Sequence, residues 1–162
     1  MSRETRVGWK ERVKIPAWGL TLKALLDPGA PLSTLVVEGV EALGRVRDDE
    51  GRRRLVLRLA VPVARGKSRL KVVHAFYHRR TRLGEAPGRA YVVKLPLRLG
   101  DQRFEAEVAL LEGLSRRQHF LHLGREALSG RFLIDPSEAY LHRVRPHGAE
   151  KDPMLPLLGE IE

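Results

Sequence analysis

The sequence predicts a mainly β domain that closes into a small barrel and carries one short helix near its C-terminus. Short segments of alternating apolar and polar residues recur along the chain, and glycine and proline turn signals separate them. The 162 residues, 43% of them hydrophobic and 31% charged, are enough for a single domain with its own core. Many short strands with turns between them are typical of small closed β folds.

The predicted strands are segments of alternating or β-branched residues. In chain order they are Val13–Ile15, Leu20–Leu26, Leu35–Val37, Arg54–Val61, Leu70–Tyr77, Tyr91–Leu99, Arg103–Leu111 and Phe132–Ile134. Gly100-Asp101 forms a tight turn and predicts a hairpin, and Pro96 indicates a strand edge or a bulge. The predicted helix begins at Arg125, after Gly124, and is barely longer than one turn.

The C-terminal residues differ in composition from the rest of the chain. Residues 1–142 contain all the predicted strands and are interpreted as one domain. Residues 143–162 contain Pro146, Gly148, Pro153 and Pro156 and show no periodicity. This segment is interpreted as a C-terminal extension that is either flexible or covers a partner.

The composition argues against several classes of protein. The chain has no cysteine, which excludes disulfides and thiolate metal sites. No apolar run is long enough for a membrane span, and the N-terminus has no signal-peptide pattern, so we expect a cytoplasmic protein. His74 and His78, like His119 and His122, could share a face, but no HExxH motif is present. No metal site is expected.

The net charge of +10 arises from 30 cationic residues, of which 23 are arginine, against 20 acidic ones. Such a balance indicates nucleic acid, an anionic surface or an acidic substrate as partner, or simply a proteome that favours arginine on surfaces. Basic runs lie at 52–54, 79–82 and 116–117. Aromatic residues make up 6% of the chain, and the paired aromatics of a base-stacking platform are missing. We therefore interpret the runs as solvated loops and expect no nucleic-acid partner.

The segment that follows the second predicted strand is a candidate site. The apolar strand runs directly into Asp27, followed by Pro28 and Gly29, then Ala30 and a hydroxyl residue, Ser33. Asp-Pro-Gly by itself is common turn chemistry. Taken alone, it predicts only a turn.

Three further segments resemble one known family. Residues 123–136, with the sequence LGREALSGRFLIDP, are similar to its terminal block, residues 7–13 to its N-terminal block, and residues 89–100 to its central strand pair. The family is that of bacterial retropepsin-like aspartic endopeptidases, once named ATP-dependent zinc proteases. The resemblance covers roughly residues 7–141 and implies the closed β barrel of the acid proteases.

The resemblance also implies a role for each matching residue. Asp27 matches the catalytic aspartate. The active-site loop is matched by Pro28, Gly29, Ala30 and Ser33, and the supporting loop and dimer contacts by Leu123, Gly124 and Arg125. The Arg-rich stretch 79–89 is predicted to be an exposed, mobile loop, and it would be the flap if it overlies Asp27. Asp135 is a second aspartate in a turn, which we interpret as structural.

The family implies a homodimer, because an aspartic protease needs two carboxylates that share a proton and this chain offers one. Its association with ATP-grasp ligases that add glutamate to proteins implies an acidic or glutamylated peptide substrate. No cofactor is expected. Departures from the pattern are Pro28 in place of threonine, residues 81–87 in place of a serine-containing loop, and no counterpart of an Asn-Arg segment near 114–118. They favour an alternative, a non-catalytic peptide-binding or regulatory domain.

Overall fold

The computed structural model describes residues 4–63, 69–84, 88–112, 120–143, 155–159 and 161, and most of these residues are in strands. The strands are β1 (Thr5–Gly8), β2 (Lys10–Ile15), β3 (Leu20–Leu26), β4 (Ser33–Val37), β5 (Gly39–Arg47), β6 (Arg53–Pro62), β7 (Leu70–Thr81), β8 (Ala90–Leu99), β9 (Gln102–Glu112), β10 (Leu121–Leu123) and β11 (Phe132–Asp135). The helices are a 3₁₀ turn (Pro16–Trp18), α1 (Arg125–Leu128) and α2 (Leu155–Leu158).

Six of these strands form a closed barrel. The order of the nine-stranded sheet is β2-β3-β10-β4-β9-β8-β7-β6-β5, and an additional pairing of β2 with β8 closes the first six strands into a ring. Lys14 and Arg98 form the pair at this closure. The predicted fold class, a retropepsin-like closed β barrel, is therefore confirmed.

The short strand β10 lies between β3 and β4 in the barrel. It runs parallel to β3, with Leu123 beside Leu26, and antiparallel to β4, with His122 beside Thr34. The chain thus leaves β3, forms a loop and returns as β4, while a late segment inserts between the two strands. This arrangement brings residues 123–126 against the loop that begins at Asp27.

Alternation along the strands fills the barrel interior. In β8, Val93, Leu95, Leu97 and Leu99 are buried in the core, whereas Lys94 is exposed. Such a period of two is what one buried sheet face requires. Trp18, the largest fully buried side chain, belongs to this core, and its indole N–H donates to the carbonyl oxygen of His74 at 3.0 Å.

Outside the barrel, β5 and β6 continue the sheet beyond β7. Val46 and Val56 form a second small core there, against which Leu157, Leu158 and Ile161 of the C-terminal segment pack. The helix α2 was not predicted, because four residues show no helical periodicity. The division into a domain of residues 1–142 and an extension stays a prediction. No helix within the described ranges is long and apolar enough to cross a membrane.

The prediction of a loop from Arg79 to Arg89 is wrong for its first residues, since β7 continues to Thr81. Arg79 donates through Nε to Glu107 at 2.7 Å, and this hydrogen bond lowers the pKa of the Glu107 carboxyl group. A run of arginines is typical of a loop, but Arg79 and Arg80 extend from a paired strand. Residues 82, 84, 88 and 89 are exposed as predicted, and 85–87 lie outside the described residues.

Three strands were not predicted, for different reasons, and one of them, β10, has only three residues. The four residues of β1 are held by parallel pairing with β11, a partner distant in sequence. The alternation of β5 is interrupted by a bulge between Ala42 and Gly44, where Gly44 adopts φ 142°. A bulge shifts the side-chain period by one residue, so the pattern on its two sides does not match. The predicted hairpin of β8 and β9 is present, with Gly100 at φ 59° in its turn.

Candidate active site

Asp27 lies at the end of β3, where the barrel strand gives way to a loop. Its backbone N–H donates to the carbonyl oxygen of Leu123 at 2.8 Å, which extends the pairing of β3 with β10 by one residue. Its side-chain Oδ1 accepts the backbone N–H of Gly29 at 3.0 Å. The Asp27 side chain is half-buried, whereas Pro28 and Gly29 are exposed. The carboxylate is thus oriented by the backbone and open to one side.

The loop of residues 27–33 rests on the segment that follows β10. Ser33 is buried, and its hydroxyl oxygen accepts the backbone N–H of Gly124 at 3.0 Å. The carbonyl oxygen of Ala30 accepts the N–H of Arg125 at 2.6 Å, and that of Pro31 accepts the N–H of Glu126 at 3.1 Å. The loop therefore satisfies amide groups at the start of α1 that have no partner within the helix.

Gly124 stands at the closest approach between these segments. A Cβ atom at this position would lie 2.5 Å from the carbonyl carbon of Leu32 and 2.8 Å from the carbonyl oxygen of Ala30. Both are backbone atoms, so neither can swing aside. Glycine at 124 is therefore a packing requirement of the loop that presents Asp27.

Arg125 contacts the Asp27 loop directly. Its guanidinium donates to the carbonyl oxygen of Pro28 at 3.3 Å, and no carboxylate among the described residues is bonded to it. The fold thus brings together all the predicted site residues, namely Asp27, Pro28, Gly29, Ala30, Ser33, Leu123, Gly124 and Arg125. Their roles in catalysis stay predictions.

Glu11 supports the site, and the sequence analysis assigned it no role. Its carboxylate is fully buried and accepts three backbone N–H groups: Gly8 at 2.7 Å, Leu141 at 3.0 Å and His142 at 3.2 Å. The segment from Gly8 to Glu11 also contacts the residue before Asp27, because the carbonyl oxygen of Trp9 accepts the N–H of Leu26 at 2.9 Å. The only available signal was the position of Glu11 inside the N-terminal block, since a buried glutamate cannot be recognised from periodicity.

Replacing Glu11 with glutamine is expected to destabilise the fold by about 1.5–3 kcal/mol, because one of the charged acceptor oxygens becomes an NH₂ group that faces a backbone donor. Urea unfolding followed by circular dichroism measures the change. Glu38→Gln is the matched control, since Glu38 is exposed. Equal unfolding midpoints for the two variants would contradict this role for Glu11.

Asp135 is engaged at the end of β11 and fits its interpretation as a structural residue. The Ser137 hydroxyl donates to its carboxylate at 2.6 Å and Arg6 pairs with it at 2.6 Å, and these partners lower the pKa of Asp135 to about 2. His119 and His147 lie outside the described residues. Within the described part of the chain, no group of three His, Asp or Glu side chains is placed to hold a metal ion.

The comparisons with known proteins agree with this geometry. The family model of the retropepsin-like aspartic endopeptidase RimB matches residues 6–145. The chain belongs to this RimB-like family. The solved structure of Lpg0085, a protein of unknown function from Legionella pneumophila, is similar to it, with 25% identity and a TM-score of 0.70, and the match covers 87% of this chain and 100% of that one. No curated protein matches.

The match to the RimB-like family includes two sequence segments that are in contact in the fold. The matched range includes both the Asp27 loop and the segment from Leu123 to Arg125, which are far apart in sequence and bonded in the fold. The Asn-Arg segment without counterpart falls at 114–118, outside the described residues. Whether residues 82–89 overlie Asp27 stays a prediction; Leu83 and Arg89 line a hollow together with Val40 and Glu112.

Proposed function

We propose that the protein is a homodimeric aspartic endopeptidase in which each chain contributes Asp27. The observation that carries the proposal is the geometry of this residue in a RimB-like chain. Its carboxylate is half-buried at the open end of a barrel strand and oriented by the Gly29 N–H at 3.0 Å. One chain supplies one such loop, so a two-fold axis beside it would supply the second carboxylate.

Two carboxylates at such an axis cannot both ionise, because like charges in close contact repel. The pair therefore holds one proton between them. The ionised carboxylate takes a proton from a water molecule while the water oxygen attacks the peptide carbonyl carbon. The protonated carboxyl group donates its proton to the carbonyl oxygen. The C–N bond breaks as the leaving nitrogen takes a proton from the pair. No metal or cofactor takes part in this scheme.

Exposure around Asp27 supports the dimer. Pro28, Gly29, Arg125 and Glu126 are all exposed in the single chain, although they adjoin the close backbone contact at Gly124. A partner that covers them would leave Ser33 and Gly124 in the interior, where they already lie.

We further propose that the substrate is an acidic or glutamylated protein segment met in the cytoplasm. The chain carries a net charge of +10, and electrostatic complementarity raises the rate at which a basic protein and an acidic chain associate. The lack of cysteine fits a reducing compartment.

The test is a hydrolysis assay on acidic, neutral and basic peptides of equal length at several pH values, with Asp27→Asn as the inactive control. Light scattering over a range of protein concentrations reports the oligomeric state. We expect activity per chain to rise with concentration in parallel with the dimer. Full activity at concentrations where only monomer is present would overturn the homodimeric site.

A second candidate function is a peptide-binding or regulatory domain without catalysis. Pro28 favours it, because proline has neither a side-chain donor nor an N–H group, and threonine at this position in the family bonds to the opposite loop of the dimer. Peptide binding without hydrolysis of any tested peptide, in a protein that is dimeric, would support this function over the first.

Replacing Pro28 with threonine is expected to raise activity or tighten the dimer. A restored hydrogen bond contributes about 0.5–1.5 kcal/mol and symmetry forms it twice, which corresponds to about tenfold or more in the dimer dissociation constant. Loss of proline costs about 0.4–1 kcal/mol per chain through the unfolded state. The melting temperature is therefore a poor measure, and kcat/KM and the dissociation constant are the ones to compare.

A further inference from the structure

Several of the chain's arginines converge on one hollow that the proposed catalytic scheme does not use. The hollow has a volume of about 520 Å³ and is formed by β5, β6, β7 and β8. Among the described residues, no acidic residue and no residue of the Asp27 loop lines it. The side chains that characterise it are Arg45, Arg53, Arg54, Arg80, Tyr77 and Tyr91.

Arg53, Arg54 and Arg80 belong to basic runs that were interpreted as solvated loops, and the structure corrects that interpretation. Arg53 and Arg54 begin β6, and Arg80 lies in β7. Arg53 and Arg80, one from each basic run, therefore line one shared concavity, while Arg54, next to Arg53, extends from the opposite face of its strand. The aromatic partners that the sequence lacked side by side, Tyr77 and Tyr91, also meet there, with ring centroids 6.0 Å apart and planes at 85°.

The guanidinium of Arg80 is oriented by the protein. It lies 4.4 Å from the ring centroid of Tyr91 and donates to the Tyr91 hydroxyl at 2.6 Å. Arg54 lies 4.7 Å from the ring of Phe76. The ring and hydroxyl of Tyr91 fix the position of the Arg80 charge without neutralising it, since a ring does not cancel a cation. Arg54, by contrast, is paired with Asp48 at 3.5 Å. Within the described residues, neither Arg45 nor Arg80 is paired with a carboxylate.

The register of β5 and β6 places further like charges together. Arg47 stands directly opposite Arg53, and Arg45 follows two residues away on the same face of β5. Like charges directly opposite across a ladder are destabilising. The register thus makes this end of β5 and β6 rich in positive charge.

We propose that this arginine hollow binds a single-stranded nucleic acid, whose phosphates lie on Arg45, Arg53 and Arg80 and whose bases stack on the guanidinium and tyrosine groups. Guanidinium groups match phosphate oxygens in pairs and also stack on flat rings. An extended peptide fits less well beside Arg80, because β7 and β8 are already paired where Arg80 meets Tyr91, so its backbone finds no open edge between these two strands. The hollow shares Arg54, Tyr77 and His78 with a neighbouring cavity of about 890 Å³, which gives a chain of several nucleotides room to continue.

The test is fluorescence anisotropy with labelled single-stranded RNA and DNA of the same mixed sequence, about 12 nucleotides long to suit the usual site sizes. The variant is Arg45→Gln/Arg80→Gln, and the control of equal charge is Lys23→Gln/Arg103→Gln. All four residues are exposed, so both variants are expected to remain folded, which thermal unfolding checks. A preference for RNA or for DNA identifies the natural ligand.

We expect the hollow variant to raise the dissociation constant at least about tenfold and to lower the slope of log K against log salt by about 1.4, the value for two lost phosphate contacts on a single strand. The control is expected to stay within about twofold. Equal weakening by both variants would overturn the proposal, since binding would then follow net charge alone. So would a polyglutamate peptide or inorganic polyphosphate of equal charge that binds the wild type as tightly as the oligonucleotide.

Discussion

Replacing Asp27 with asparagine is expected to lower peptidase kcat by about 10³-fold or more, within the range that general acid–base groups contribute. An amide can neither take a proton from water nor share one with its symmetry mate. The introduced asparagine side chain would keep an oxygen for the Gly29 N–H, which Asp27 accepts at 3.0 Å, so the loop is expected to persist.

Initial rates on the best acidic peptide measure this loss, and Asp49→Asn is the matched control, because Asp49 is exposed. Mixing the wild type with Asp27→Asn chains then tests the shared site. At equal amounts and with free exchange, about a quarter of the dimers retain two aspartates, so activity is expected to follow the square of the wild-type fraction. A linear dependence would mean that one chain suffices.

Replacing Gly124 with alanine is expected to destabilise the protein by at least about 1–3 kcal/mol, the usual cost of overpacking, and to disorganise the Asp27 loop. The new methyl group would lie 2.5 Å from the Leu32 carbonyl carbon, and relief requires the backbone of residues 30–32 to move. That movement would lengthen the hydrogen bonds from Arg125 to Ala30 and from Gly124 to Ser33.

Denaturant unfolding measures the loss of stability, and amide exchange at residues 123–126 reports whether the loop has separated from α1. Gly39→Ala is the control, because a Cβ at Gly39 meets nothing within 4 Å and its φ lies outside the left-handed region. If the Gly124 variant unfolds at the same denaturant concentration as this control, the close contact is not a constraint on the loop.

The sequence was sufficient for those parts of the fold that rest on local patterns. The alternation in β8 and β9 and the glycine turn between them predicted their hairpin, and Gly124 marked the start of α1. Contacts between distant segments could not be derived in this way. The pairing of β1 with β11 and the insertion of β10 beside β3 depend on the closed barrel, which no local pattern encodes.

The same distinction between sequence signals and contacts of distant segments applies to the candidate site. The resemblance located Asp27 and Gly124 correctly relative to each other, but not the burial of Glu11, because a carboxylate that binds only backbone amides has no charged partner to reveal it. The arginine hollow was missed because its tyrosines and arginines are adjacent only through strand register.

The insertion of β10 between β3 and β4 determines when, during synthesis, the Asp27 loop gains its structural support. The bonds that support the Asp27 loop join residues 91 and 97 positions apart, and such non-local contacts form late because the intervening chain must first be closed. During synthesis, the loop therefore has no support until the segment after residue 120 has left the ribosome. Any peptidase activity that depends on Asp27 is thus expected only after residues 121–125 have been made, and copies truncated before them are expected to be inert.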